Sequence, residues 1–200
     1  MTEADGYVFR EHDGPEGAPT LFVFHGTGGD ENQLFDLARQ LAPSARIIAP
    51  RGDVSEMGAL RFFRRTGEGV YDMDDLALRT GRMAAFMKAQ VGDGPVYGLG
   101  YSNGANILAS VMLSDPGIVT AAVLMHPLIP WAPSDLPGLK GRKVLITAGR
   151  RDPMSPAETT QALADYFAAQ GAEAKLFWHE GGHEIAQAEL GAVQRFLTEL

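Results

Sequence analysis

Gly100-Tyr101-Ser102-Asn103-Gly104 is the segment of this chain best suited to covalent chemistry. It follows the apolar run Val96–Leu99 and precedes a stretch of helical period, the strand-to-helix context in which a G-x-S-x-G serine is exposed at a sharp turn. A serine at such a turn takes a strained backbone conformation, and the chain passes so close that side chains two residues before and after it would clash. Glycine at 100 and 104 removes the clash. The helix that begins at Asn103 then directs its N–H groups and positive dipole end toward charge that develops during acyl transfer. Two rival readings of the glycines fail. Gly98-Leu99-Gly100 is followed by Asn103 where a dinucleotide fingerprint requires its third glycine, and the chain holds no Gly-Lys-Ser/Thr for a phosphate loop.

A serine hydroxyl is unreactive near neutral pH until a base takes its proton, so the motif calls for a histidine and an orienting carboxylate, in the chain order serine, acid, histidine. Asp152 fits the acid: the buried run Val144–Ala148 leads into Gly149-Arg150-Arg151-Asp152-Pro153. Asp115 and Asp135 sit in turns that follow no buried strand, where an Asx-turn accounts for them. His183 fits the base, because it follows the last strand across Glu180-Gly181-Gly182 and precedes the final helix. His12 lies too early, and His126, beside Pro127, reads as a structural or pocket-wall residue. Activity should rise with pH as the base histidine becomes neutral. His179-Glu180-Gly181-Gly182-His183 also matches the zinc pattern H-E-x-x-H, but that pattern works on a helix, and two glycines after a strand argue against one. No metal or other cofactor is expected.

His25-Gly26-Thr27-Gly28-Gly29-Asp30 follows the most apolar strand and precedes a helix, so the backbone N–H of Thr27, with that of Asn103, is the expected oxyanion hole. The site so assembled lies at the carboxyl ends of strands, where open α/β sheets bind their ligands.

The elements that must carry these residues alternate. Strands are expected at Tyr7–Arg10, Thr20–His25, Arg46–Ala49, Val96–Leu99, Ala121–Met125, Val144–Ala148 and Lys175–Trp178. Helices are expected at Asn32–Leu41, Asp74–Gln90, Asn103–Leu113, Pro156–Gln170 and Glu184–Glu199. Continuous apolar runs such as Leu21-Phe22-Val23-Phe24 mark strands buried on both faces, hence a mostly parallel central sheet flanked by helices on both faces. The first strand, short and flanked by charge, reads as an antiparallel edge. Ser155, Pro156 and Glu158 together read as an N-cap, a first-turn proline and a capping box. The irregular stretch from Pro50 to Asp72 is long enough to be functional.

With 25 acidic against 17 basic residues, the net charge of −8 disfavours nucleic acid or an anionic membrane as partner. The absence of cysteine excludes a disulfide framework and a thiol nucleophile. No apolar run reaches the length of a membrane span, and the amino-terminal stretch lacks a signal peptide's charge and apolar run, so a cytoplasmic protein is expected. The 200 residues are read as one domain, residues 1–200.

The His-Gly-Thr-Gly-Gly-Asp loop, Pro50-Arg51-Gly52, the Gly-Tyr-Ser-Asn-Gly-Ala-Asn elbow, Gly149-x-x-Asp152-Pro153 and Gly182-His183 together resemble the α/β-hydrolase superfamily. Within it they resemble the small carboxylesterase/phospholipase group that includes acyl-protein thioesterases. The resemblance implies a Ser102–Asp152–His183 triad, no metal and no cap domain. Asn103 stands where the thioesterase branch commonly carries Gln, which favours the bacterial carboxylesterases. The expected activity is hydrolysis of small, short-acyl carboxylic esters in an open pocket walled by Phe63, Trp131 and Met154, although core packing would equally account for Phe63. A thioesterase or lysophospholipase of the same fold, or a non-catalytic small-molecule receptor, are the alternatives. A monomer or homodimer is expected.

Overall fold

The structure, a computed structural model, describes residues 2–67 and 69–200. The strands β1 (Thr2–Ala4) and β2 (Tyr7–His12) form a hairpin turned by Asp5 and Gly6, both at positive φ as a tight two-residue turn requires. There follow β3 (Thr20–Phe24), α1 (Phe35–Leu41) and β4 (Arg46–Pro50). Two small hairpins come next, β5 (Val54–Glu56) with β6 (Ala59–Arg61) and β7 (Arg65–Gly67) with β8 (Val70–Tyr71). The remaining elements are α2 (Met73–Gln90), β9 (Val96–Tyr101), α3 (Asn103–Ser114), β10 (Ala121–Met125), β11 (Lys143–Gly149), α4 (Ala157–Ala169), β12 (Glu173–His179) and α5 (Gln187–Thr198).

The main sheet runs β1-β2-β4-β3-β9-β10-β11-β12, and β4 through β12 in that order are parallel. Alternation along β3 explains why it reads as one apolar run. Phe22 and Phe24 join a core with α2, α3 and α4 on one face, while Leu21 and Val23 join a core with α1 and α5 on the other. From β3 the chain moves outward through α1 to β4, then returns through α2 to β9 on the other side. The carboxyl ends of β3 and β9 therefore diverge in connection and open a crevice between them.

Three expectations need correction. β2 is antiparallel to β4 as read, but it is not the edge, because β1 pairs along its outer side. The helix at 156 carries no capping box. The Ser155 hydroxyl donates instead to the carbonyl of His126 at 3.1 Å, and α4 starts at Ala157. The last helix starts at Gln187 rather than Glu184, since the Glu184 carboxylate accepts the Gly182 N–H and shapes the loop before it. The irregular stretch 50–72 is mostly the two hairpins, and the first of them sits against the loop after β3: the Gly28 N–H donates to Leu60 O at 2.9 Å.

Candidate active site

Ser102 sits at the turn between β9 and α3 with φ 52° and ψ −118°, a conformation L residues adopt only under constraint. The constraint is steric. A Cβ on Gly104 would lie 2.2 Å from Phe24 O, and one on Gly100 would lie 2.5 Å from Gly104 O, so β3, β9 and α3 can approach this closely only with glycine at both positions. The Ser102 N–H donates to Met125 O at 2.9 Å, tying the turn to the end of β10.

The histidine loop is drawn in by a similar close approach. A Cβ on Gly149 would lie 2.0 Å from Gly182 O, and the Arg151 N–H donates to Gly181 O at 3.0 Å. His183 Nδ1 then lies 2.6 Å from Asp152 Oδ2, and its Nε2 lies 2.8 Å from Ser102 Oγ. Tyr101, the residue before the serine, donates its hydroxyl to His183 O at 2.7 Å and sets its ring 5.6 Å from the imidazole. The three residues predicted as nucleophile, acid and base are thus brought together from three different strand ends.

Asp152 is buried, yet both of its oxygens are occupied. Oδ1 accepts the N–H groups of Met154 and Ser155 at 2.8 and 3.0 Å, and Oδ2 accepts from His183 and from His126, the latter at 2.9 Å. Burial alone would raise its pKa, but these hydrogen bonds, led by His126 and His183, hold it below the ordinary carboxylate value.

Thr27 and Asn103 line the same pocket as Ser102, and among the described residues no backbone carbonyl takes up the N–H of either. The loop bearing Thr27 is braced by His25, whose Nδ1 pairs with Gly26 O at 2.7 Å while Nε2 accepts the Gly52 N–H at 2.8 Å. Burial lowers the His25 pKa, in keeping with a neutral ring that has one donor and one acceptor nitrogen. Asn103 Oδ1 accepts the Phe62 N–H at 2.8 Å, and Arg61 Nη1 donates to Thr27 Oγ1 at 2.9 Å, so residues 61 and 62 are clamped to the start of α3 and to the loop after β3.

The pocket is small, about 30 Å³, and is lined by Arg61, Arg65, Tyr71, Asn106, Leu128 and Met154 in addition to the residues above. Of Phe63, Trp131 and Met154 only Met154 belongs to it, and His126, read as a structural or pocket-wall residue, lines it as well. Phe63 is fully buried, its ring edge-on to Tyr71 at 4.8 Å, so the core claims it. Trp131 lines a separate apolar groove of about 260 Å³ with Met73, Leu76 and Leu113. Tyr71 takes the wall position instead, held by the Asn106 amide and by its own hydrogen bond to Leu128 O.

The H-E-x-x-H pattern is not helical: His179 ends β12 and His183 lies in the loop beyond it. Sequence reasoning missed Tyr101, Tyr71 and above all the depth of His126. His126 is fully buried with φ 52°, and its Nε2 lies 3.3 Å from Glu189 Oε1. Burial pulls its pKa down, but hydrogen bonds to Glu189 and Asp152 outweigh this and raise it above the ordinary histidine value. Glu189 looks like any polar residue in the first turn of a helix; nothing local marks it.

The dienelactone hydrolase family matches residues 73–190 of the chain. The Bacillus subtilis protein MhqD is 38% identical over 184 residues, covering 90% of this chain and 92% of that protein. Among solved structures, the protein Atu2452 of Agrobacterium tumefaciens is 53% identical with a TM-score of 0.91, the match covering 96% of each chain. A carboxylesterase of Bacillus cereus is 31% identical with a TM-score of 0.92, covering 96% of this chain and 94% of that one.

Proposed function

Because the chain belongs to the dienelactone hydrolase family of α/β-hydrolases, we propose that it is a serine carboxylesterase acting on small, short-acyl carboxylic esters. The observation that carries this reading is the single imidazole spanning Ser102 Oγ at 2.8 Å and Asp152 Oδ2 at 2.6 Å. His183 Nε2 takes the serine proton as Ser102 Oγ attacks the ester carbonyl. Asp152 holds the ring with its Nδ1–H inward and stabilises the imidazolium that forms. The N–H groups of Thr27 and Asn103, the latter at the amino end of α3, bind the oxyanion of the tetrahedral intermediate. Collapse expels the alcohol, which receives the proton from His183. A water activated by the same ring then attacks the acyl-serine and releases the acid.

The small pocket, walled by Tyr71 and Leu128 with the Tyr71 hydroxyl bonded to Leu128 O, favours a short acyl group. The carboxylesterase of Bacillus cereus, similar over nearly the whole chain, supports an ester over other acyl substrates. The test is turnover of p-nitrophenyl acetate: Ser102→Ala should lose roughly 10⁴-fold or more of kcat with the fold intact. Retained turnover overturns the serine mechanism, and faster turnover of long-chain esters or thioesters overturns the substrate class.

A further inference from the structure

Behind the triad lies a second set of titratable groups that the mechanism above does not use. Asp152 Oδ2 accepts not one imidazole but two, from His183 at 2.6 Å and from His126 at 2.9 Å. The other nitrogen of His126 faces a second carboxylate, Glu189 Oε1, at 3.3 Å, and Glu189 is itself fully buried. Its remaining lone pairs accept the Thr147 hydroxyl at 2.6 Å and the Ala186 N–H at 2.5 Å. His179 completes the cluster, with Nε2 at 3.3 Å from His126 Nε2 and 3.6 Å from Glu189 Oε1.

An imidazole with a carboxylate on each nitrogen satisfies both only by donating from both, which it does as the cation. A buried carboxylate such as Glu189 without that cation is costly. The three ligand-type atoms of His126, His179 and Glu189 are close enough together to invite a metal ion. However, the Gly181 N–H donates to His179 Nδ1 at 3.0 Å, which keeps the proton of a neutral ring on Nε2, the atom that a metal would need, and that N–H faces Glu189 Oε1 at 3.6 Å, the same oxygen that faces His126 Nε2.

We propose that His126, held as an imidazolium between Asp152 and Glu189, is a positioning residue for the hydrolytic site: it fixes the shared Asp152 oxygen and offsets the second buried carboxylate. His183 then faces the net charge of one carboxylate rather than two. The inference rests on the triad reading above. The groups that face His126 are Asp152 and Glu189, His179, the His183 ring at 5.2 Å and the Tyr101 ring at 5.8 Å. The charged groups around His183 are Asp152 and His126, the neighbouring Glu184, and Arg61 and Arg65 across the pocket. The raised pKa of His126, where hydrogen bonds to Glu189 and Asp152 outweigh burial, agrees with the geometry.

His126→Asn is the informative variant. Asn tolerates the φ of 52° better than other residues and carries an amide N–H in place of Nδ1–H, but it cannot carry the charge. Two measurements test the proposal. By NMR, the His126 ring of the unaltered protein should show both N–H protons at neutral pH, and Glu189→Gln should abolish the Nε2–H signal. In the pH profile of kcat/KM for p-nitrophenyl acetate, His126→Asn should move the acid limb upward by about half a unit or more, because an unopposed second carboxylate favours protonated His183. Adding Glu189→Gln to His126→Asn should bring the limb back. A singly protonated His126 ring, or a His126→Asn enzyme that loses rate with no shift of its acid limb, overturns the proposal. The ring spectra need no turnover, so a protein that is inactive on esters overturns the hydrolase reading without altering what they report about His126.

Discussion

Ser102 and His126 end adjacent parallel strands with the same left-handed backbone, φ 52° in each case. Ser102 borders the pocket, and its hydroxyl meets one imidazole, that of His183. His126 stands in the wall of the same pocket but is itself fully buried, with both ring nitrogens committed to other buried groups. The same strain thus serves opposite ends. At Ser102 it turns a hydroxyl toward the pocket and His183, with the turn tied down by the Ser102 N–H bond to Met125 O. At His126 it turns a ring into the interior, where buried polar contacts hold it.

The largest expected effect comes from making the same substitution at both positions. Glycine relieves the strain in each case, so Ser102→Gly should stabilise the fold by about 1 kcal/mol. His126→Gly should destabilise it by about 3 kcal/mol, because Glu189 loses its buried counter-charge. Urea unfolding of the two variants measures both, and effects of the same sign would break the contrast.

A smaller effect is expected in the pH dependence of stability. The His126 pKa is raised from 6.5, so the stability it contributes is fully present below that value and is lost as pH rises through the higher folded value. Asp152 and Glu189 are shifted down, despite burial, by hydrogen bonds led by those to the histidines. Their contribution is present above ordinary carboxylate values and is lost as pH falls through the lower folded ones. Unfolding free energy should therefore decline on both sides of a mildly acidic maximum. His126→Asn should flatten the alkaline side, and an unchanged alkaline slope would remove His126 as its source.

The smallest effect is expected from Tyr101→Phe. It removes the hydroxyl that holds His183 O but leaves the aromatic ring against both His183 and His126. A loss of about tenfold or less in kcat, corresponding to one hydrogen bond of about 1 kcal/mol, is expected with the His126 ring signals unchanged. Altered His126 signals would show that the two strand ends are not separable through Tyr101.

The two strand ends also differ in how far they were legible. Ser102 announces itself because its strain and crowding demand glycine two residues away on either side, at 100 and 104. Asp152 was legible for a related reason, since it follows the buried run of β11 and Gly149, which close packing requires, whereas His183 was legible from the two glycines that follow the last strand. His126 carries the same φ with no glycine two residues away on either side, and so the sequence reads it as a structural or pocket-wall residue beside a proline without showing what its ring meets. Phe63 stayed open between pocket wall and core because an aromatic in a loop looks the same whether the loop folds over a pocket or into a core. Only the hairpin of β5 and β6 and the clamp of Asn103 on Phe62 decide between them. Trp131 failed similarly, since Tyr71, distant in sequence from Leu128 and Asn106, takes the wall position.

What the sequence determined by itself is what consecutive residues dictate: the alternation of buried strands and amphipathic helices, the parallel sheet, and the nucleophile, acid and base candidates at the strand ends. Those features depend on local sterics and periodicity, which act within a few residues. Tertiary structure alone decided that Asp152 serves two imidazoles and that Glu189, 63 residues beyond His126, faces the far nitrogen. It also decided that the pocket is walled by Tyr71. These are pairings across strands and helices, and nothing along the chain encodes which buried charge meets which until the sheet has brought their loops together.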